Sequence, residues 1–263
     1  MKNFIKSIAC LAVYFVIQFL MQMVFMLSGT LLGIKSQNEL MEFCMNHLFL
    51  LTVLSNIVTV LLFILYMKIQ KKNITEEWNL IPAKLKTYIA PCASVFLLSF
   101  AWAFITYDIS FTNTQQIEKS TNFYSRIFPG FGIIMMALTL LLAQPVIEEI
   151  LCRGIILNKL KNSMPVWGAV IVSSLLFGII HLMAGGAVLT IGAAIMGICF
   201  GLVFVKTKSL YIAIAAHAFA NLPDFLLPYL PKPDFSTRII LALALAAISI
   251  IIMILFCKKE EKI

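Results

Sequence analysis

The sequence predicts an all-α fold: a polytopic transmembrane helical bundle of about eight spans, with both termini cytoplasmic. Three observations predict it. The 263 residues are 61% hydrophobic and only 12% charged, against about 45–50% and about 25% in soluble domains. The apolar residues gather into eight runs, each near the roughly 20 residues that a helix needs to cross a bilayer. The basic residues fall mainly in every second connection between those runs. No connection is long enough for a separate soluble domain, so residues 1–263 are read as a single membrane-embedded domain.

The first run, Ile8–Gly33, follows Lys2 and Lys6. It is too long for a signal-peptide core and is read as a retained span. The second is His47–Met67. The polar connection after it holds Lys68, Lys71, Lys72, Glu76, Glu77, Lys84 and Lys86, with room for a short surface helix. The third is Thr87–Tyr107, followed by a polar stretch from Asp108 to Phe128. The fourth is Gly130–Leu157, and Lys159 and Lys161 follow it. Pro165 suits a helix start and opens the fifth, which runs to about Met183 and stops at Gly185–Gly186. The sixth is Ala187–Val205. Its Ala193, Gly197 and Gly201 recur every fourth residue, a small-residue face that lets helices approach closely. The seventh is Leu210–Leu227, interrupted by Pro223. The eighth is Ser236–Phe256, and Lys258, Lys259, Glu260, Glu261 and Lys262 follow.

The net charge of +8 is explained by orientation rather than by nucleic acid, whose ligands need basic residues clustered on one exposed face. With the N-terminus inside, the cytoplasmic connections hold the lysines at 68, 71, 72, 84, 86, 159, 161, 206, 208, 258, 259 and 262. The outer connections hold only Lys35, Lys119, Arg126, Lys232 and Arg238, as the positive-inside rule requires. The six cysteines show no metal or disulfide spacing and read as small apolar residues. Cys152 is the one that sits among charges.

Those charges are Glu148, Glu149 and Arg153, deep inside the fourth run. Each costs at least about 2.5–3.5 kcal/mol near a bilayer centre, so three on one span need a reason. His181, His217 and Asn221 are the other conspicuous polar residues of the later spans. At 1.5 Å per helical residue, Glu148 lies roughly 16 Å from Lys159, His217 roughly 14 Å from Lys208 and His181 roughly 24 Å from Pro165. These depths allow one shared site.

Glu149 and Arg153 are four apart and share a helix face, so they form a brace. Glu148 points about 100° away and is the free carboxylate. A buried carboxylate beside another is suited to general-base work on a water. The two histidines could orient that water, hold a metal or donate to an oxyanion, and the Asn221 amide is a plausible oxyanion donor. Glu148, His181 and His217 also make an acceptable three-ligand zinc set, so zinc and a metal-free water both stay open. Hydrolysis of a peptide bond is the reaction that fits, without a G-x-S-x-G serine, an H-E-x-x-H helix or paired intramembrane aspartates.

Glu148-Glu149-x-x-x-Arg153, Phe177-x-x-x-His181 and His217-x-x-x-Asn221, in this order and each in its own span, resemble the three motifs of the CPBP (Abi) family. That family includes type II CAAX prenyl endopeptidases and bacteriocin-processing membrane proteins. The resemblance covers about residues 130–222. It implies an intramembrane endopeptidase in which Glu148 activates water with His181, His217 and Asn221 form the oxyanion site, and Glu149 pairs with Arg153. It also implies a peptide or protein substrate reached from membrane or cytosol, and a multi-pass protein of, by expectation, a bacterial cell membrane. Simpler readings stand beside these: a structural ion network for Glu148, Glu149 and Arg153, interhelical glue for Asn221, and a packing or cavity-wall role for Phe177. The rival functions are a non-catalytic binding or immunity protein that keeps the site, and a proton-relay transporter.

Overall fold

The computed structural model describes residues 2–107, 111–127, 129–227, 230–231 and 233–258. Asp108, Lys232, Lys259, Glu260, Glu261 and Lys262 lie outside them. Among the described residues every regular element is helical: α1 Lys2–Leu31, α2 Gln37–Asn46, α3 Leu48–Ile69, α4 Ile74–Glu77, α5 Leu85–Thr106 and α6 Phe111–Ser125. One continuous helix then covers Phe131–Lys161. It is built from α7 Phe131–Ala137, a π-helical segment Leu138–Ala143, α8 Gln144–Glu149, a second π segment Ile150–Leu157, and α9 Asn158–Lys161. The chain closes with α10 Val166–Ile180, α11 Leu182–Thr207, α12 Leu210–Leu226 and α13 Phe235–Lys258.

Six helices are long and apolar enough to cross a membrane, and α10 and α12 are shorter apolar helices. These eight are the eight runs of the sequence, and the chain is a multi-pass membrane protein. The boundaries follow local chemistry. α1 ends before Gly33, which takes the left-handed conformation at φ +96° that glycine adopts without steric cost. Ser36 caps α2 by accepting from the Glu39 N–H at 3.2 Å, and Asn73 caps α4 by accepting from Thr75 at 3.0 Å. The expected break after the fifth run is present at Gly185 (φ −151°) and Gly186 (φ +63°).

One end of the bundle gathers the lysine-rich connections. Asn3 donates to Ser163 at 2.8 Å, and Asn158 donates to the Glu77 carbonyl at 3.0 Å and to the Asn79 side chain at 2.8 Å. The Leu210 N–H donates to the Asn79 carbonyl at 2.9 Å, and Lys206 donates to the Cys257 carbonyl at 3.0 Å. The N-terminus, the 73–84 connection, the ends of α9 and α11 and the end of α13 therefore meet. Trp78 of that connection is buried against Gly154. The opposite end is built from α2 and α6, tied by Ser120 donating to the Asn46 carbonyl at 3.1 Å and by the His47 and Phe123 rings 4.5 Å apart.

The helices that carry the site are held by close packing and hydrogen bonds, because lipid offers no hydrophobic drive between helices. The small-residue face of α11 lies on α10. A Cβ on Gly197 would stand 3.1 Å from Ser174 Cβ, and one on Gly201 would stand 2.9 Å from Val170 Cγ1. Reciprocal bonds join α5 to α13: Ser94 Oγ donates to the Ser249 carbonyl at 2.9 Å, and Ser249 Oγ to the Ser94 carbonyl at 2.7 Å.

Candidate active site

The Phe131–Lys161 helix is α-helical over Gln144–Glu149 and π-helical on both sides. Such π segments appear mostly as short insertions, often at functional positions. Here they flank the two glutamates. Glu149 and Arg153 share a face, as their spacing predicts: Arg153 Nη1 donates to Glu149 Oε1 at 2.9 Å, with both side chains fully buried. Arg153 Nη2 donates to the Gly197 carbonyl at 2.7 Å, across to α11. The guanidinium also lies over the Phe177 ring at 4.8 Å and the Phe200 ring at 5.3 Å. A buried cation is thus held by a carboxylate, a carbonyl and two aromatic faces, which offsets the cost of removing it from water.

His217 of α12 reaches the same carboxylate, with Nδ1 at 3.0 Å from Glu149 Oε1. His181, the residue that caps the C-terminus of α10, has Nδ1 at 2.9 Å from the Phe177 carbonyl. In each ring Nδ1 carries the proton that these acceptors require, so Nε2 is the atom left for the site. Both Nε2 atoms lie 3.7 Å from Glu148 Oε2. That oxygen is buried and has no protein hydrogen-bond partner. Three electron-pair donors from three helices therefore converge on one small space. His217 is nearly buried, and His181 is the more accessible ring, with a fifth of its side chain exposed.

Residues 130–223 match the family model of the type II CAAX prenyl endopeptidases, Rce1-like. Over this segment the chain is similar to the CAAX-type proteases. It takes in Glu148, Glu149, Arg153, Phe177, His181, His217 and Asn221. The CAAX-type match supports endopeptidase activity within the membrane and a protein substrate. No curated protein and no solved structure significantly matches the chain.

The structure brings Glu148, Glu149, Arg153, Phe177, His181 and His217 of this matched segment into one cluster. Phe177 is buried, edge-on to His181 at 4.8 Å and to His217 at 5.4 Å, so it packs the two rings together. Asn221 stands one turn beyond His217, and its amide donates to the Leu140 carbonyl at 2.8 Å rather than to any member of the cluster. Cys152 is fully buried. Among the described residues no group of three or more His, Cys, Asp or Glu side chains has the arrangement of a metal site, so the zinc set Glu148, His181 and His217 gains no geometric support. An open cleft of about 640 Å³ between α2 and α6, lined by Glu42, Lys119 and Arg126 among others, includes none of these site residues.

Two participants are absent from the motifs. Phe200 of α11 stacks on His217 with centroids 4.7 Å apart and planes 17° from parallel. Gly197 lends its carbonyl to Arg153. Both belong to the stretch around the small-residue face of α11, and that spacing was the available signal. It indicates close approach of two helices but not which side chains gather behind it.

Proposed function

We propose that the chain is an intramembrane endopeptidase that hydrolyses a peptide bond of a membrane-associated protein or peptide with a water activated by Glu148. The observation that carries this is the Glu148 carboxylate oxygen facing two imidazole Nε2 atoms at 3.7 Å each, without a partner of its own. An oxygen about 2.8 Å from its partners bridges gaps of that size. A water held there lies against a base and is oriented by both rings. Glu148 accepts a proton as the water oxygen adds to the scissile carbonyl carbon. Collapse of the tetrahedral species breaks the C–N bond, and Glu148 returns the proton to the leaving nitrogen.

Glu149 is the orienting group. It binds Arg153 and His217 through one oxygen, and so fixes the ring that stands on the oxyanion side. Doubly protonated, with Nδ1–H held by Glu149 and a second proton on Nε2, that ring donates to the oxyanion. Asn221 keeps its second amide N–H for the same oxyanion. The family match supports a prenylated carboxyl-terminal segment as the substrate class, and the partly exposed His181 marks the side from which it arrives.

The test uses purified wild-type protein and Glu148→Gln with a fluorogenic farnesylated peptide ending in a CAAX box. A parallel comparison of peptide and membrane-protein termini uses wild-type, deletion and Glu148→Gln host strains. Loss of cleavage by about 10²–10⁴-fold on removal of the base is expected. The same precursor should accumulate in the deletion and in the point variant. A deletion phenotype that Glu148→Gln does not reproduce would sink the catalytic reading and favour a binding or immunity role.

A further inference from the structure

The helix that carries Glu148 contains a proline where its backbone pattern needs a donor. At the end of the π segment Leu138–Ala143 the backbone bonds reach back five residues: the Gln144 N–H donates to the Thr139 carbonyl. The next donor in that register would be residue 145, and its acceptor would be Leu140. Residue 145 is proline and has no N–H. Leu140 O is therefore the carbonyl that the proline leaves without its helical partner, inside a membrane span where such a group is costly. Asn221 Nδ2 donates to that same oxygen at 2.8 Å.

We infer that Asn221 is first a positioning residue: its amide replaces the N–H that Pro145 lacks and so pins α12 to the glutamate-bearing helix. The two helices are then joined twice, by Asn221 to Leu140 and by His217 to Glu149. The second bond lies one turn along α12 from the first. A slip at Leu140 would rotate or shift the turn that carries His217, whose Nε2 faces Glu148. The sequence motif thus couples a proline and an asparagine 76 residues apart. Part of the reason this position is an asparagine lies in helix chemistry rather than at the oxyanion.

The inference rests on the endopeptidase reading only for its functional consequence, and a double-mutant cycle separates the two. Asn221→Ala is made in the wild-type chain and in Pro145→Ala, which restores the backbone N–H. Cleavage of the farnesylated CAAX peptide and the thermal midpoint in detergent micelles are both read. In the wild-type background Asn221→Ala should lower kcat about tenfold or more and lower the midpoint; in the Pro145→Ala background the midpoint should change little and the loss of kcat should be at least about threefold smaller, what remains being the oxyanion N–H, a coupling typical of residues sharing one hydrogen bond. An equal loss of activity in both backgrounds would overturn the inference and leave Asn221 as an oxyanion donor only. No loss in the wild-type background would overturn it as well. If Pro145→Ala does not accumulate, Pro145→Ser restores the same N–H. If the wild-type protein cleaves no such peptide, that substrate reading fails, and the midpoint cycle alone decides the inference.

Discussion

His217 Nδ1 lies 3.0 Å from the same Glu149 oxygen that accepts from Arg153 Nη1 at 2.9 Å. One carboxylate oxygen therefore holds two cationic or protic groups from two helices. Its neighbour Glu148 has no comparable bond. The adjacent glutamates are unequal, and their substitutions should differ in kind.

Glu149→Gln removes the counter-charge of a fully buried guanidinium. Breaking a buried pair in this way costs about 3–5 kcal/mol. Both stability and cleavage should fall, read as a lowered thermal midpoint in micelles and lost turnover. Glu148→Gln should lose turnover while its midpoint stays close to wild type. Equal midpoints for the two variants would contradict the division of roles.

Phe200→Ala removes the ring stacked on His217 and under Arg153. Truncation of a buried Phe costs about 3–5 kcal/mol. Phe200→Leu keeps most of the volume but not the flat face, so it should remain folded with reduced kcat and little change in KM. A Phe200→Leu variant with wild-type kcat would show that the stack fills space only.

Gly197→Ala places a methyl 3.1 Å from Ser174 Cβ and 3.2 Å from Phe177 Cδ1. α11 must move away from α10 and take the Arg153 acceptor with it. A loss of about 1–3 kcal/mol is expected, as for other overpacked interiors. A midpoint at or above that of wild type would show that the helices separate without cost.

Thiol reagents should leave turnover unchanged at exposures that label the more accessible cysteines, because Cys152 is fully buried. Cys152→Ala should cleave the peptide at a rate within about threefold of wild type, since free cysteine in a core behaves as a small hydrophobe. Inactivation that tracks modification of Cys152 would restore a nucleophilic cysteine as a candidate.

Dialysis against a zinc chelator offers a further test, because Glu148, His181 and His217 remain the obvious ligand types. Cleavage should persist through chelation if Glu148 acts on water directly. Loss of activity recovered by added zinc would instead identify the three as ligands, whose affinity depends on their deprotonated state.

The sequence made the eight apolar helices legible because a membrane span is a composition signal as much as a pattern. Glu149 with Arg153 was legible from a spacing of four residues, and the break at Gly185–Gly186 from glycine chemistry. α2 and α6 were not. They are short and polar, lie between apolar runs, and are stabilised by contacts such as Ser120 with Asn46 that no local pattern announces. The π segments were also hidden, since Leu138–Ala143 and Ile150–Leu157 have the composition of any apolar helix. With them went the link from Pro145 through Leu140 to Asn221, which depends on a hydrogen-bond register. Phe200 escaped for a different reason: in a chain with 21 phenylalanines, an aromatic under a histidine looks like every other aromatic.

The helices that present the two histidines are the short ones. α10 has 15 residues and α12 has 17, so they rise about 22 Å and about 26 Å, against a hydrocarbon thickness of about 30 Å. Hydrophobic mismatch of this sign is relieved by local thinning of the bilayer. Thinning of this kind would draw lipid inward beside these two helices relative to the longer α1 and α13. A scissile bond would then not have to be carried to the midplane, because the aqueous boundary would descend part of the way toward Glu148.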